Sequence, residues 1–132
     1  MNLKQRIQCA LDLRKQGYNC AQCVAMVFDD VVGTDADVLS RVTAGLGTGV
    51  GGLREICGAV SAMAIIDSLA GYKTPADKPA LYFMVNNDGE EFRRINGSLV
   101  CRELKRPGGK PCPELIADAV TILYKRLLEH AE

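Results

Sequence analysis

The stretch GLGTGVGG, Gly45 to Gly52, is the strongest break in this chain, with five glycines in eight residues. Glycine in the interior of a helix or strand gives up backbone entropy without packing a side chain. No regular element is expected to run through it, so the fold must be assembled from what lies on either side. Before it, Leu3, Ile7, Ala10 and Leu11 repeat at helical spacing, and Gly17 ends that first helix. Asn19 is the expected N-cap of a second helix, from about Cys20 to Asp30, with Val24, Val27 and Phe28 facing inward. Thr34 with Asp37 reads as the cap and first-turn acid of a third, running to about Ala44.

After the glycine run, Leu53 to Ala70 reads as a small-residue helix, with Gly58, Ala59, Ser61, Ala62 and Ala64 allowing close approach of neighbours. Thr74-Pro75 is a cap followed by proline at the first helical position. From Asp77 to Ile95 a helical phase is kept by Leu81, Val85, Phe92 and Ile95, and the Asn86–Gly89 segment (NNDG) is expected to kink or split it. Asn96-Gly97-Ser98 ends that element and caps a short helix, Leu99 to Arg106. Pro113 opens the last, with Ile116, Val120, Leu123 and Leu127 on one face. No segment alternates as a strand would. The expectation is an all-α, compact bundle of six or seven helices in a single domain spanning residues 1–132, without linker or repeat.

Composition excludes several roles. Sixteen basic residues balance sixteen acidic ones, which argues against a nucleic-acid binder. The most apolar run, Ala59 to Ala70, is interrupted by Asp67 and falls short of the ~20 residues that span a bilayer. The N-terminal MNLKQRIQCA is charged and periodic, unlike a signal peptide. No membrane association is expected, and the cytoplasm is the expected location. There, six cysteines point to ligation or redox chemistry more than to structural staples.

Four of these cysteines fall at or near four helix starts. Cys20 is the first residue of its helix, Cys57 lies in the first two turns after the glycine run, Cys101 is three residues past the Ser98 cap, and Cys112 occupies the cap position before Pro113. Unpaired N–H groups and the helix dipole favour negative charge at such positions. They lower a thiol pKa toward neutrality, and the thiolate is both nucleophile and metal ligand. Arg54, Arg102 and Lys110 are near three of the four in sequence and are expected to add to the shift. Cys9 is mid-helix beside the apolar face and reads as core.

Asn19-Cys20-Ala21-Gln22, the Gly45–Gly52 turn, Cys57-Gly58-Ala59-Val60-Ser61-Ala62, Cys101 and Cys112 together resemble a family of small redox-active proteins named for a C-GCAxxG-C-C cysteine pattern. The resemblance spans nearly the whole chain. It implies that Cys20, Cys57, Cys101 and Cys112 act together, as redox thiols or as ligands, with Gly58 and Ala59 of the motif beside any bound cofactor. The last glycine of the motif is replaced by Ala62, so the backbone contact there is expected to be slightly relaxed. Cys9 and Cys23 are additions to the pattern. Val24 rather than His follows Cys23, so no c-type haem attachment is present.

Three readings remain open. The first is a thiol redox protein that cycles a disulfide, as an oxidoreductase or electron-transfer protein. Its local form uses the Cys20/Cys23 C-x-x-C pair at a helix start, although no βαβ element supports a thioredoxin fold. The resemblance implies instead pairing among Cys20, Cys57, Cys101 and Cys112. The second is a four-thiolate metal site, an iron–sulfur cluster before zinc, although the ligand spacing matches no recognised motif. The third is a helical interaction domain whose cysteines are simply core. Either a redox partner protein or a small molecule would serve the first, and the small-residue face makes a homo-oligomer reasonable.

Other signals carry less. Gly47 to Gly52 formally matches GxGxxG, but a helix precedes it, so a tight turn that lets the Cys57 helix pack closely is expected rather than a dinucleotide site. His130, the sole histidine, is expected in solvent. Asp67 is expected at an edge with a solvated carboxylate, and Lys125-Arg126 and Glu90-Glu91 with Arg93-Arg94 on solvated helix faces.

Overall fold

Residues 1–129 are described by a computed structural model, and His130 lies outside the described residues. Eight right-handed helices account for most of them: α1 (Leu3–Lys15), α2 (Cys20–Met26), α3 (Asp29–Val32), α4 (Ala36–Thr43), α5 (Gly58–Gly71), α6 (Lys78–Asn96), α7 (Cys101–Leu104) and α8 (Cys112–Tyr124). The fold is all-α. Among the described residues the nearest thing to a sheet is one isolated antiparallel bridge between Ile56 and Val100. No helix is long and apolar enough to cross a membrane among those residues.

Local sequence explains where the helices start. Asn2 and Asn19 each form a reciprocal capping box, with Gln5 and Gln22 respectively, at the heads of α1 and α2. Asp35, rather than Thr34, caps α4 through the Asp37 N–H. Helix α2 is the hub, packed by α1, α4, α5 and α8. Its Ala21, Cys23, Val24 and Ala25 are fully buried, and these short side chains admit Ala59 and Ala62 of α5. Phe28, Leu39, Met63, Phe92, Ile116 and Leu123 fill the remaining core. Each such side chain contributes about 1.5–3 kcal/mol by leaving water.

Four expectations are corrected. The Cys20–Asp30 segment divides at Val27-Phe28 because Arg6 withdraws the Val27 carbonyl from the helix ladder, donating to it over 2.5 Å while pairing with Asp30 and lying over the Phe28 ring. Helix α5 begins at Gly58, not Leu53, because residues 54–57 are held out of helix by backbone bonds to neighbouring segments, with Arg54 at a left-handed φ of 60°. The NNDG segment does not kink α6: Asp88 is tied to Arg126 over 2.7 and 2.8 Å, and Gly89 lies against Leu99. Asp67 is buried rather than solvated, and Arg126 bridges it to Asp88 instead of facing water.

Candidate thiol site

Cys20, Cys57, Cys101 and Cys112 line one cavity of about 260 Å³. They arrive there from α2, from the residue before α5, and from the first residues of α7 and α8. Cys20, Cys57 and Cys101 are buried and Cys112 is half-buried. Asn19, Arg14, Arg54 and Lys105 complete the polar wall, while Leu104 and Leu115 form an apolar one. All six cysteines are free thiols.

The glycine run is what brings the segments together. Thr48, Gly49, Val50, Gly51 and Gly52 have φ of 52, 63, 68, 57 and 89°, a turn of left-handed helix. L-residues pay roughly 1–2 kcal/mol each for this conformation, so Thr48 and Val50 are strained. The turn allows the Arg54 and Glu55 N–H groups to donate to the Thr48 and Gly49 carbonyls over 3.1 and 3.0 Å. A Cβ at Gly49 would lie 2.5 Å from the Glu55 nitrogen, so glycine is required there. On the far side, Cys57 N–H donates to Leu99 O over 2.8 Å, Cys101 N–H to Glu55 O over 2.6 Å, and Arg102 N–H to Arg54 O over 3.1 Å. Three short segments thus lie side by side and present Thr48, Cys57 and Cys101 to the cavity.

Gly58 brings in the fourth element. A Cβ at this position would lie 2.6 Å from Cys20 Sγ and 2.9 Å from the Leu46 carbonyl. Its absence lets α2 and α5 meet with Cys20 and Cys57 on the same cavity. Ala59, by contrast, is fully buried in the core and does not line the cavity; its N–H faces Cys57. Ala62 is also fully buried.

The electrostatics divide the Cys20/Cys57 pair. The Cys57 thiol donates to Cys20, the Thr48 and Ala21 N–H groups and the Arg14 charge add to this, and together they outweigh burial to lower the Cys20 pKa to about 6. The same hydrogen bond, with burial and the neighbouring charge, pushes Cys57 up. The two sulfurs titrate as a unit and share one proton near neutral pH. Burial, followed by the charges of Cys20 and Cys112, raises Cys101, opposed by Lys105 and Arg54.

Cys23 is not part of this set. It is fully buried, its thiol faces the Tyr18 carbonyl at 3.6 Å, and burial raises its pKa to about 11. Cys9 sits half-buried against the core beside Met1. Of the cations expected near the thiols, Arg54 lines the cavity, whereas Arg102 turns to Glu55 and the Leu53 carbonyl, and Lys110 pairs with Asp118. Arg14 and Lys105 were not singled out by the sequence, because Arg14 reaches the site across the Gly17 turn. Among the described residues, no three His, Cys, Asp or Glu side chains are arranged to share one metal ion, so the four-thiolate reading has no ready ligand set.

The family model described as "Putative redox-active protein (C_GCAxxG_C_C)" matches residues 18–126. No curated protein and no solved structure matches the chain.

Proposed function

The chain belongs to the family described as "Putative redox-active protein (C_GCAxxG_C_C)", and from that premise we propose that it cycles a disulfide between Cys20 and Cys57. The observation that carries this reading is geometric: Cys20 and Cys57 line one cavity, with Gly58 leaving free the space where a Cβ would lie 2.6 Å from Cys20 Sγ, and the lowered Cys20 pKa agrees with it. Nucleophilicity requires thiolate, and a thiol of pKa near ambient pH attacks best.

The Cys20 thiolate attacks one sulfur of an oxidised disulfide, forming a mixed disulfide and expelling the other sulfur as thiolate. The Cys57 proton passes to that leaving group. Cys57 then attacks Cys20, closing the internal disulfide and releasing the second thiolate. Two electrons leave the protein, and one disulfide is exchanged for another. Cys101 and Cys112, which line the same cavity, are the candidate second dithiol for reducing the first by the same exchange.

Equilibration in dithiothreitol buffers of graded potential, with thiol trapping and peptide mass spectrometry, tests the reading. A reversible Cys20–Cys57 disulfide is expected. Absence of any reversible disulfide among the four cysteines, or formation of a Cys20–Cys23 bond alone, would overturn it.

A further inference from the structure

Three cations stand at the mouth of the thiol cavity without anions to balance them. Arg14, Arg54 and Lys105 line it, and no Asp or Glu does. Among the described residues these three side chains enter no ion pair and no hydrogen bond, whereas Arg6, Arg94, Arg102, Lys110 and Arg126 all have carboxylate partners. One thiolate, Cys20, offsets one of the three charges, leaving two in excess. A rim of one sign around a low-dielectric cleft concentrates ligands of the opposite sign.

Size narrows the class. Cys20, Cys57 and Cys101 are 8, 4 and 7% exposed, below the reach of a disulfide on a folded protein surface. The cavity of about 260 Å³ has room for about nine waters at ~30 Å³ each, which suits a short molecule. Leu104 and Leu115 on the opposite wall suit its methylene and sulfur portion.

We propose that the oxidant taken by this dithiol is a small disulfide carrying acidic groups, gripped by Arg14, Arg54 and Lys105 while Cys20 attacks its sulfur. The proposal rests on the Cys20/Cys57 reading. Attack of a thiolate on a dianion is slowed by like charge, and the three cations remove that obstacle. The reaction is the two-electron exchange described above, with the small disulfide leaving as two acidic thiols.

The test uses the reduced full chain and three oxidants: dithiodipropionate (dianion), hydroxyethyl disulfide (neutral) and cystamine (dication). Formation of the Cys20–Cys57 bond is followed by acid quench and mass spectrometry. Each rate is divided by that of the same oxidant with free dithiothreitol, which removes the leaving-group difference. About a tenfold or larger preference for the dianion over the neutral oxidant is expected at low salt, shrinking as salt is added. Arg54→Gln and Lys105→Gln should each lower that ratio. Equal normalised rates or a preference for cystamine would overturn the proposal. Failure of all oxidants to form the bond would instead overturn the dithiol reading beneath it.

Discussion

Replacing Cys57 by alanine removes the hydrogen bond that most lowers the Cys20 pKa while leaving the Thr48 and Ala21 N–H groups and Arg14 in place. A hydrogen bond to a charged group is worth about 1.5–3 kcal/mol, or roughly one to two pKa units. Cys20 should therefore rise from about 6 to roughly 7–8 in Cys57→Ala. At pH 7 the thiolate fraction falls from about 90% to between about 50 and 10%, so alkylation slows about two- to tenfold. Cys57→Ser keeps a donor and should keep the low midpoint. The assay is the rate of iodoacetamide modification of the Cys20 peptide from pH 4 to 10. A midpoint in Cys57→Ala equal to that of the parent would refute the shared-proton account, as would equal midpoints in the alanine and serine variants.

Stability of the reduced protein should depend on pH with a sign set by the same pair. Cys20 is lowered from 9.0 to about 6, so its contribution is complete above the unfolded pKa and is lost as pH falls through about 6; above pH 9 the raised Cys57, Cys101 and Cys23 reverse the trend. The unfolding free energy from urea titration in reducing buffer should rise from pH 6 to 9 by up to ~1.4 kcal/mol per pH unit, and a Cys20→Ser variant with an equal rise would contradict this. Gly58→Ala should cost about 1–3 kcal/mol by overpacking against Cys20 Sγ and Leu46 O and should raise the Cys20 alkylation midpoint; an unchanged midpoint would show that the sulfurs do not depend on the missing Cβ. Arg126→Leu leaves the buried Asp67 and Asp88 carboxylates without their cation, which should cost about 3–5 kcal/mol in urea unfolding while leaving Cys20 alkylation unaltered.

Helix positions were legible where capping chemistry is local. Gly17 and the Leu3–Leu11 periodicity mark α1 to within a residue or so, Asn19 marks the start of α2 though not its end, and Cys112 with Pro113 marks α8. The start of α5 was not legible, because residues 54–57 are kept out of helix by carbonyls from residues 48–49 and by residues 99–102, and sequence periodicity does not record such distant partners. The same blindness hid Arg126 between Asp67 and Asp88, three residues drawn from α5, α6 and the π-turn after α8. For the site, Cys20 and Cys112 could be read from local caps, whereas Cys57 was expected inside a helix that in fact begins one residue after it. Cys23 was set aside on the resemblance, and the packing of α2 supplies the physical reason: one thiol of the C-x-x-C pair faces the core and the other the cavity.

The backbone pairing of residues 54–57 with 99–102 has a consequence for how such a sequence can drift. The bonds that hold Cys57 and Cys101 at a fixed separation run between main-chain amides and carbonyls, which every residue except proline supplies. Glu55, Ile56 and Arg102 are therefore free to vary in charge and size without displacing either sulfur. Descendants of this chain can change the exposed lettering around the two thiols and inherit their spacing intact.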